Sequence, residues 1–91
     1  MKLKENYMLR EIAGNFVVIP VGQNVVDYKN MLHLNETGVF LWNALQNEIT
    51  FETLLKNMTV EYEASEDEIS ILEKDLNEFL DKLRTMELLI E

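Results

Sequence analysis

Three side chains that could take part in catalysis occur close together, at His33, Glu36 and Thr37. A histidine that acts as a general base needs a second group to orient it and a substrate proton within reach. Strand alternation places His33 on the face opposite Leu32 and Leu34. The start of a helix accounts for Glu36 and Thr37 without chemistry. The sequence therefore favours a partly exposed strand residue at His33 and no catalytic residue.

Metal binding has equally little support in the sequence. The chain has no cysteine and a single histidine, so zinc–thiolate sites and paired imidazoles are excluded. A run of carboxylates near the C-terminus is typical of a solvated helix face, and no D-x-D-x-D-G calcium loop is present. We expect neither a metal site nor a cofactor. The run comprises Glu66, Asp67, Glu68, Glu73, Asp75, Glu78 and Asp81.

Helix-starting signals explain the residues that follow His33. Asn35 is a good N-cap, because its side-chain oxygen can accept a free amide hydrogen of the first turn. Gly38 weakens this helix by about 1 kcal/mol relative to alanine, so we expect close approach of another backbone there. Thr50 caps a second, short helix. A capping box at 65-SEDE-68 begins a third helix, predicted over residues 65–84.

The first third of the chain has the pattern of β-strands. Strands are predicted at 7-YMLREIA-13, 16-FVVIPV-21 and 31-MLHL-34, where β-branched and aromatic residues or short apolar runs occur. Gly14-Asn15 is the predicted hairpin turn. Pro20 cannot donate to a strand ladder, so the second strand should end or reach an edge there.

The order of elements is β-β-β-α-α-α. It predicts a single α+β domain over residues 1–91, with a three-stranded antiparallel sheet followed by three helices. A winged helix-turn-helix-like arrangement uses these parts. The tail, 86-MELLIE-91, either finishes the third helix or forms a terminal extended piece.

The charge of the chain is uneven and limits its partners. The net charge is −9, with a balance of +1 in residues 1–34 and −10 in residues 35–91. Such a surface repels nucleic acid and anionic membranes. No signal peptide or membrane span is apparent, so we expect a cytoplasmic protein. A winged-helix DNA-binding regulator is the alternative, but the third helix has seven acidic and three basic residues.

Ile71 stands out on the polar side of the third helix. Asp67, Asp75 and Glu78 share its face, away from the apolar stripe that should face the core. A single exposed apolar residue is normal, although it could also line a groove beside the sheet. Glu78 and Lys82 form a favourable i, i+4 pair on this helix.

Three segments resemble the coenzyme PQQ synthesis protein D (PqqD-like) family, which includes peptide-recognition elements for ribosomally made, modified peptides. They are 9-LREIAGNFVVIPVG-22, 32-LHLNETGVFLW-42, and 60-VEYEASEDE-68 leading into a helix that ends near 82-KLRTMELL-89. Together they span nearly the whole chain. The Leu-Asn-Glu-Thr-Gly core before an aromatic-rich helix is the most specific part.

The resemblance implies a peptide-binding module without catalytic activity. Family members bind the leader segment of a precursor peptide as an added strand, between the third strand and the third helix. They present it to a modifying enzyme, often a radical S-adenosylmethionine (SAM) enzyme. An unpaired strand edge also allows self-pairing into a homodimer. Mapped onto this chain, the peptide-binding residues are Asn30, Met31, Leu32, His33, Leu34, Asp67, Ile71, Asp75, Glu78 and Phe79.

The chain departs from the shorter family members in one segment. Residues 23-QNVVDYKN-30 form a longer connection than the tight turn of those members, so the mouth of the groove should differ.

A third hypothesis is a small enzyme that uses His33 and Glu36. It lacks a second base or nucleophile nearby.

Overall fold

The structure is a computed structural model that describes residues 1–21 and 32–91. Its elements confirm the predicted α+β class, with a three-stranded antiparallel sheet followed by three helices. A short strand near the N-terminus was not predicted, and one near the C-terminus corresponds to one of the two alternatives for the tail. The elements are β1 (Lys2–Leu3), β2 (Tyr7–Ile12), β3 (Asn15–Pro20), β4 (Leu32–Leu34), α1 (Glu36–Ala44), α2 (Phe51–Glu61), α3 (Glu66–Thr85) and β5 (Leu89–Ile90).

The larger sheet has the strand order β2-β3-β4. Its hairpin closes with Ile12 opposite Asn15, and the turn residues Ala13 and Gly14 have φ of 52° and 82°. The predicted turn at Gly14-Asn15 was therefore wrong by one residue. A two-residue hairpin turn matches the strand twist when both central residues are left-handed, and Ala13 adopts this conformation despite its side chain. The strand β3 ends at Pro20, as predicted.

The two chain ends form the second sheet. Strands β1 and β5 pair antiparallel, with Lys2 opposite Ile90 and Leu3 opposite Leu89. The amide of Leu3 also donates to the carbonyl of Leu45 at 2.9 Å, which ties this sheet to the end of α1. Of the two predictions for the C-terminal tail, the extended piece is confirmed.

The core lies between the larger sheet and the helices. Leu32 and Leu34 of β4 are buried and belong to one apolar cluster with Leu76, Leu80 and Leu83 of α3. Full burial of a leucine contributes about 1.5–3 kcal/mol, so this cluster holds β4 against α3. No polar or charged side chain in the described part of the chain is buried.

The predicted helix starts are confirmed. The Asn35 side chain accepts a hydrogen bond from the Gly38 amide at 2.8 Å, and Thr50 caps α2. The Ser65–Glu68 capping box begins α3. The Glu68 carboxylate accepts from the Ser65 amide at 3.3 Å and from the Ser65 hydroxyl at 2.9 Å.

Close approach at Gly38 is confirmed, but the neighbour is not a backbone. A Cβ atom at Gly38 would lie 3.1 Å from Cδ2 and 3.2 Å from Cβ of Leu34. The first turn of α1 folds back onto the strand that precedes it, so a side chain of β4 occupies the space.

Among residues 1–21 and 32–91, no helix is long and apolar enough to cross a membrane.

Candidate functional site

The free edge of β4 faces α3 across a surface cavity. β4 pairs with β3 on one side, with Leu32 opposite Val18 and Leu34 opposite Phe16. No other strand of the described residues pairs with β4. A cavity of about 400 Å³ lies beside this free edge. Its lining residues are Leu32, His33, Leu34, Asn35, Gly38, Phe79 and Lys82.

A second cavity continues the first toward the start of α1. It has a volume of about 330 Å³ and shares Asn35, Gly38, Phe79 and Lys82 with the first cavity. The two therefore form one continuous depression, the β4–α3 groove. The residues that only the second cavity contacts are Thr37, Leu41, Asp75 and Glu78.

Local sequence explains why this groove stays open. Leu32 and Leu34 turn their side chains into the core, so the backbone of β4 is left at the rim. The Asn35 cap starts α1 directly after the strand. Gly38 has no side chain to occupy the space between α1 and α3, and it packs tightly on Leu34.

The groove has an apolar centre and charged ends. The half-buried ring of Phe79 lies in the middle and contributes to both cavities. Asp75 and Glu78 are exposed at the end near α1, while Lys82 also reaches the cavity beside β4. An exposed strand edge with an apolar centre can accept an extended peptide through backbone hydrogen bonds and side-chain contacts.

The structure brings together six of the ten residues predicted from the sequence. These six are Leu32, His33, Leu34, Asp75, Glu78 and Phe79, all of which line the groove. Asp67 and Ile71 lie on the same side of α3, two turns and one turn before Asp75 respectively, but line neither cavity. Ile71 is 60% exposed. Asn30 and Met31 lie outside the described residues, as does the segment 23–30.

His33 lies on the face of the sheet opposite the core. It is exposed and stands opposite Val17 in the β3–β4 register. Its neighbours Leu32 and Leu34 are both buried, as strand alternation predicts. His33 nevertheless lines the groove beside the strand edge. No cluster of metal-ligating side chains occurs within residues 1–21 and 32–91.

Sequence reasoning missed five groove residues, which are Asn35, Thr37, Gly38, Leu41 and Lys82. Lys82 had a detectable signal, since it is three residues after Phe79 and four after Glu78 on the same helix. It was instead assigned to an ion pair with Glu78. Glu78 and Lys82 form no direct ion pair within the described residues, and both line the groove.

A larger cavity of about 540 Å³ lies between α1 and α2. It is lined by Phe40, Ala44 and Val60, among others, and Val60 is 69% exposed. This cavity has no strand edge, so it offers no backbone groups for peptide pairing. The β4–α3 groove is therefore the better candidate for peptide binding.

Comparison with known proteins identifies the family of the chain. The model of the family Coenzyme PQQ synthesis protein D (PqqD) matches residues 16–89. This chain belongs to the PqqD family. The match includes β3 from its second residue onward, β4 and all three helices, and thus every described residue of the groove. The searches of curated proteins and of solved structures gave no significant match.

Membership of the PqqD family indicates the general role of the protein. PqqD proteins are non-catalytic accessory proteins of natural-product biosynthesis. They bind a precursor peptide and work with biosynthetic enzymes. The geometry agrees with peptide binding, because the site has a free strand edge and an apolar centre.

Proposed function

We propose that this PqqD-family chain is a stand-alone leader-peptide-binding module. It acts in the cytoplasm as a single winged helix-turn-helix-like domain over residues 1–91. It presents a ribosomally made precursor peptide to a modifying enzyme, which we expect to be a radical SAM enzyme. The module itself performs no chemistry.

One observation carries this proposal: the free edge of β4 faces α3 across a continuous groove. An edge strand offers backbone N–H and C=O groups that an extended peptide can pair with. These bonds supply affinity for a peptide of almost any sequence. Specificity then comes from side chains in the groove, where Phe79 supplies an apolar contact and Asp75 and Glu78 supply negative charge.

The acidic end of the groove favours a leader with basic residues. The proposal predicts that Asp75→Lys weakens binding of a basic leader about five- to tenfold at low salt, because attraction becomes repulsion at an exposed site. Isothermal titration calorimetry with the precursor peptide encoded beside the gene measures this. The unchanged protein should bind with micromolar or better affinity.

A matched control is available on the same helix. Glu73→Lys makes the same charge change at an exposed position that lines neither groove cavity. It should change the dissociation constant less than twofold. Equal weakening by both variants would show that only net charge matters, and Asp75 would then have no place in the site. Absence of binding heat for the unchanged protein would contradict the proposed function.

A further inference from the structure

The charged side chains of α3 follow a fixed order along the β4–α3 groove, and this order limits which peptide sequences fit the groove. Asp75 and Glu78 line the cavity beside α1, whereas Lys82 is the only charged α3 residue that also lines the cavity beside β4. Phe79 lies between them along α3 and lines both cavities. Going along the groove, the α3 side chains are therefore acidic, apolar and then basic.

The direction of β4 relates this order to the sheet. β4 runs from Leu32 toward Asn35, and Asn35 belongs to both cavities. The acidic end therefore lies beyond the C-terminal end of β4, and Lys82 lies alongside the strand itself. A peptide that pairs antiparallel with β4 passes the acidic end first and Lys82 afterwards. Antiparallel addition continues the pattern of β2, β3 and β4, and it is slightly the more stable pairing.

The spacing on the helix matches the spacing in a strand. Asp75 and Phe79 are one helical turn apart, or about 6 Å along the axis. Alternate residues of a strand are about 6.6–6.8 Å apart and point to the same face. Lys82 follows Phe79 by three residues, about 4.5 Å, and its long side chain spans the remaining distance. Successive groove-facing side chains of a bound strand would thus meet Asp75, Phe79 and Lys82.

From this geometry, and resting on the proposed function, we infer that the groove selects a five-residue pattern in the leader. From N- to C-terminus the pattern is basic, any residue, apolar, any residue, acidic. The basic side chain faces Asp75 and Glu78, the apolar one packs on Phe79, and the acidic one faces Lys82. The pattern specifies both the chemistry of the leader and its antiparallel direction.

Two synthetic peptides of identical composition test the inference. One carries the core Lys-Thr-Leu-Thr-Glu and the other the reversed core Glu-Thr-Leu-Thr-Lys, with the same Ser/Thr flanks and blocked ends. Fluorescence anisotropy of labelled peptides at low salt should show about tenfold tighter binding of the first, because two charge pairs change sign together. Equal affinity, or preference for the reversed core, would overturn the inference.

A charge exchange in the protein provides the complementary test. The double variant Asp75→Lys, Lys82→Glu keeps the net charge and should abolish or invert the preference between the peptides. Its control is Glu73→Lys, Lys74→Glu, an equivalent exchange at exposed α3 positions outside the groove, which should leave the preference unchanged. Retention of the preference in the first variant would also overturn the inference.

The outcomes separate this inference from the proposed function. Binding of both peptides with equal affinity, accompanied by changes in the ¹⁵N–¹H resonances of β4, would leave the module intact and remove only the charge pattern. Failure of both peptides and of the natural precursor to bind would contradict the proposed function itself, and the inference with it.

Discussion

At the scale of single residues, two helices end on a glutamate in the left-handed conformation. Glu63 follows α2 with φ of 49°, and Glu87 follows α3 with φ of 59°. After α2, the Ala64 amide donates to the Thr59 carbonyl at 3.0 Å, and an equivalent bond closes α3. This is the Schellman arrangement, in which glycine is the usual residue at the left-handed position because it has no Cβ to strain.

Replacing Glu63 with glycine should therefore stabilise the protein. We expect Glu63→Gly to raise the free energy of unfolding by about 0.5–1 kcal/mol, since relief of left-handed strain exceeds the added flexibility of the unfolded chain. The matched control is Glu61→Gly, in the last turn of α2, which should lower the same quantity by about 0.5–1 kcal/mol. Urea denaturation measures both, and destabilisation by Glu63→Gly would contradict the strain argument.

Side-chain roles were easier to predict from the sequence than these backbone states. Asn35 and Thr50 were identified as caps because short polar residues before an apolar period have one favoured use. Glu63, Glu87 and Ala13 carry no comparable signal. Their left-handed conformations are imposed by the hairpin and by helix packing, so no local preference indicates them.

At the scale of elements, α3 forms one wall of the groove, and its stability depends on the capping box in its first turn. The hydrogen bonds that Ser65 donates to the Glu68 carboxylate lower the pKa of Glu68 from its usual 4.5. A carboxyl group with a lowered folded-state pKa stabilises the fold fully above its unfolded pKa. That contribution is lost as the pH falls through the folded pKa.

The capping box should therefore make stability depend on pH below about 4.5. We expect the stability difference between the unchanged protein and Glu68→Gln to be greatest near neutral pH and to shrink progressively in acid. Thermal denaturation of both proteins across the pH range measures it. Glu73→Gln controls for the general loss of negative charge on α3, and a Glu68→Gln difference that stays constant with pH would refute the linkage.

Strands and helices differed in how far the sequence determined them. The three helices could be predicted from the spacing of apolar residues and from the capping residues, because both signals act within one or two turns. β1 and β5 have two residues each, too few for alternation to register, and each exists only because the other end of the chain pairs with it. Long-range pairing of this kind leaves no local pattern.

At the scale of the whole molecule, the net negative charge and the β4–α3 groove together determine which partners can bind. The acidic excess lies in residues 35–91, which include both α1 and α3. It disfavours the DNA-binding alternative, because phosphate contacts need lysine and arginine. In the proposed function, the same excess attracts a basic leader, which then pairs with the open edge of β4.

The site could be predicted only in part, for a physical reason. The resemblance to the PqqD-like family indicated the exposed flank of α3 as one wall of the groove, so Asp75, Glu78 and Phe79 were anticipated. How far the groove extends along α3 depends on the packing angle between helix and sheet, which no local pattern encodes. Ile71 was therefore predicted as a groove residue although it lines neither cavity.

The most direct test of the account is an NMR measurement of where the leader binds. Isotope-filtered nuclear Overhauser spectra of the labelled protein with unlabelled precursor peptide report contacts between the two chains. We predict backbone contacts between the peptide and Leu32–Leu34 in an antiparallel strand register, together with contacts to the Phe79 ring. Contacts confined to the α1–α2 cavity around Phe40 and Val60, with β4 unaffected, would contradict the central claim that the free edge of β4 binds the leader.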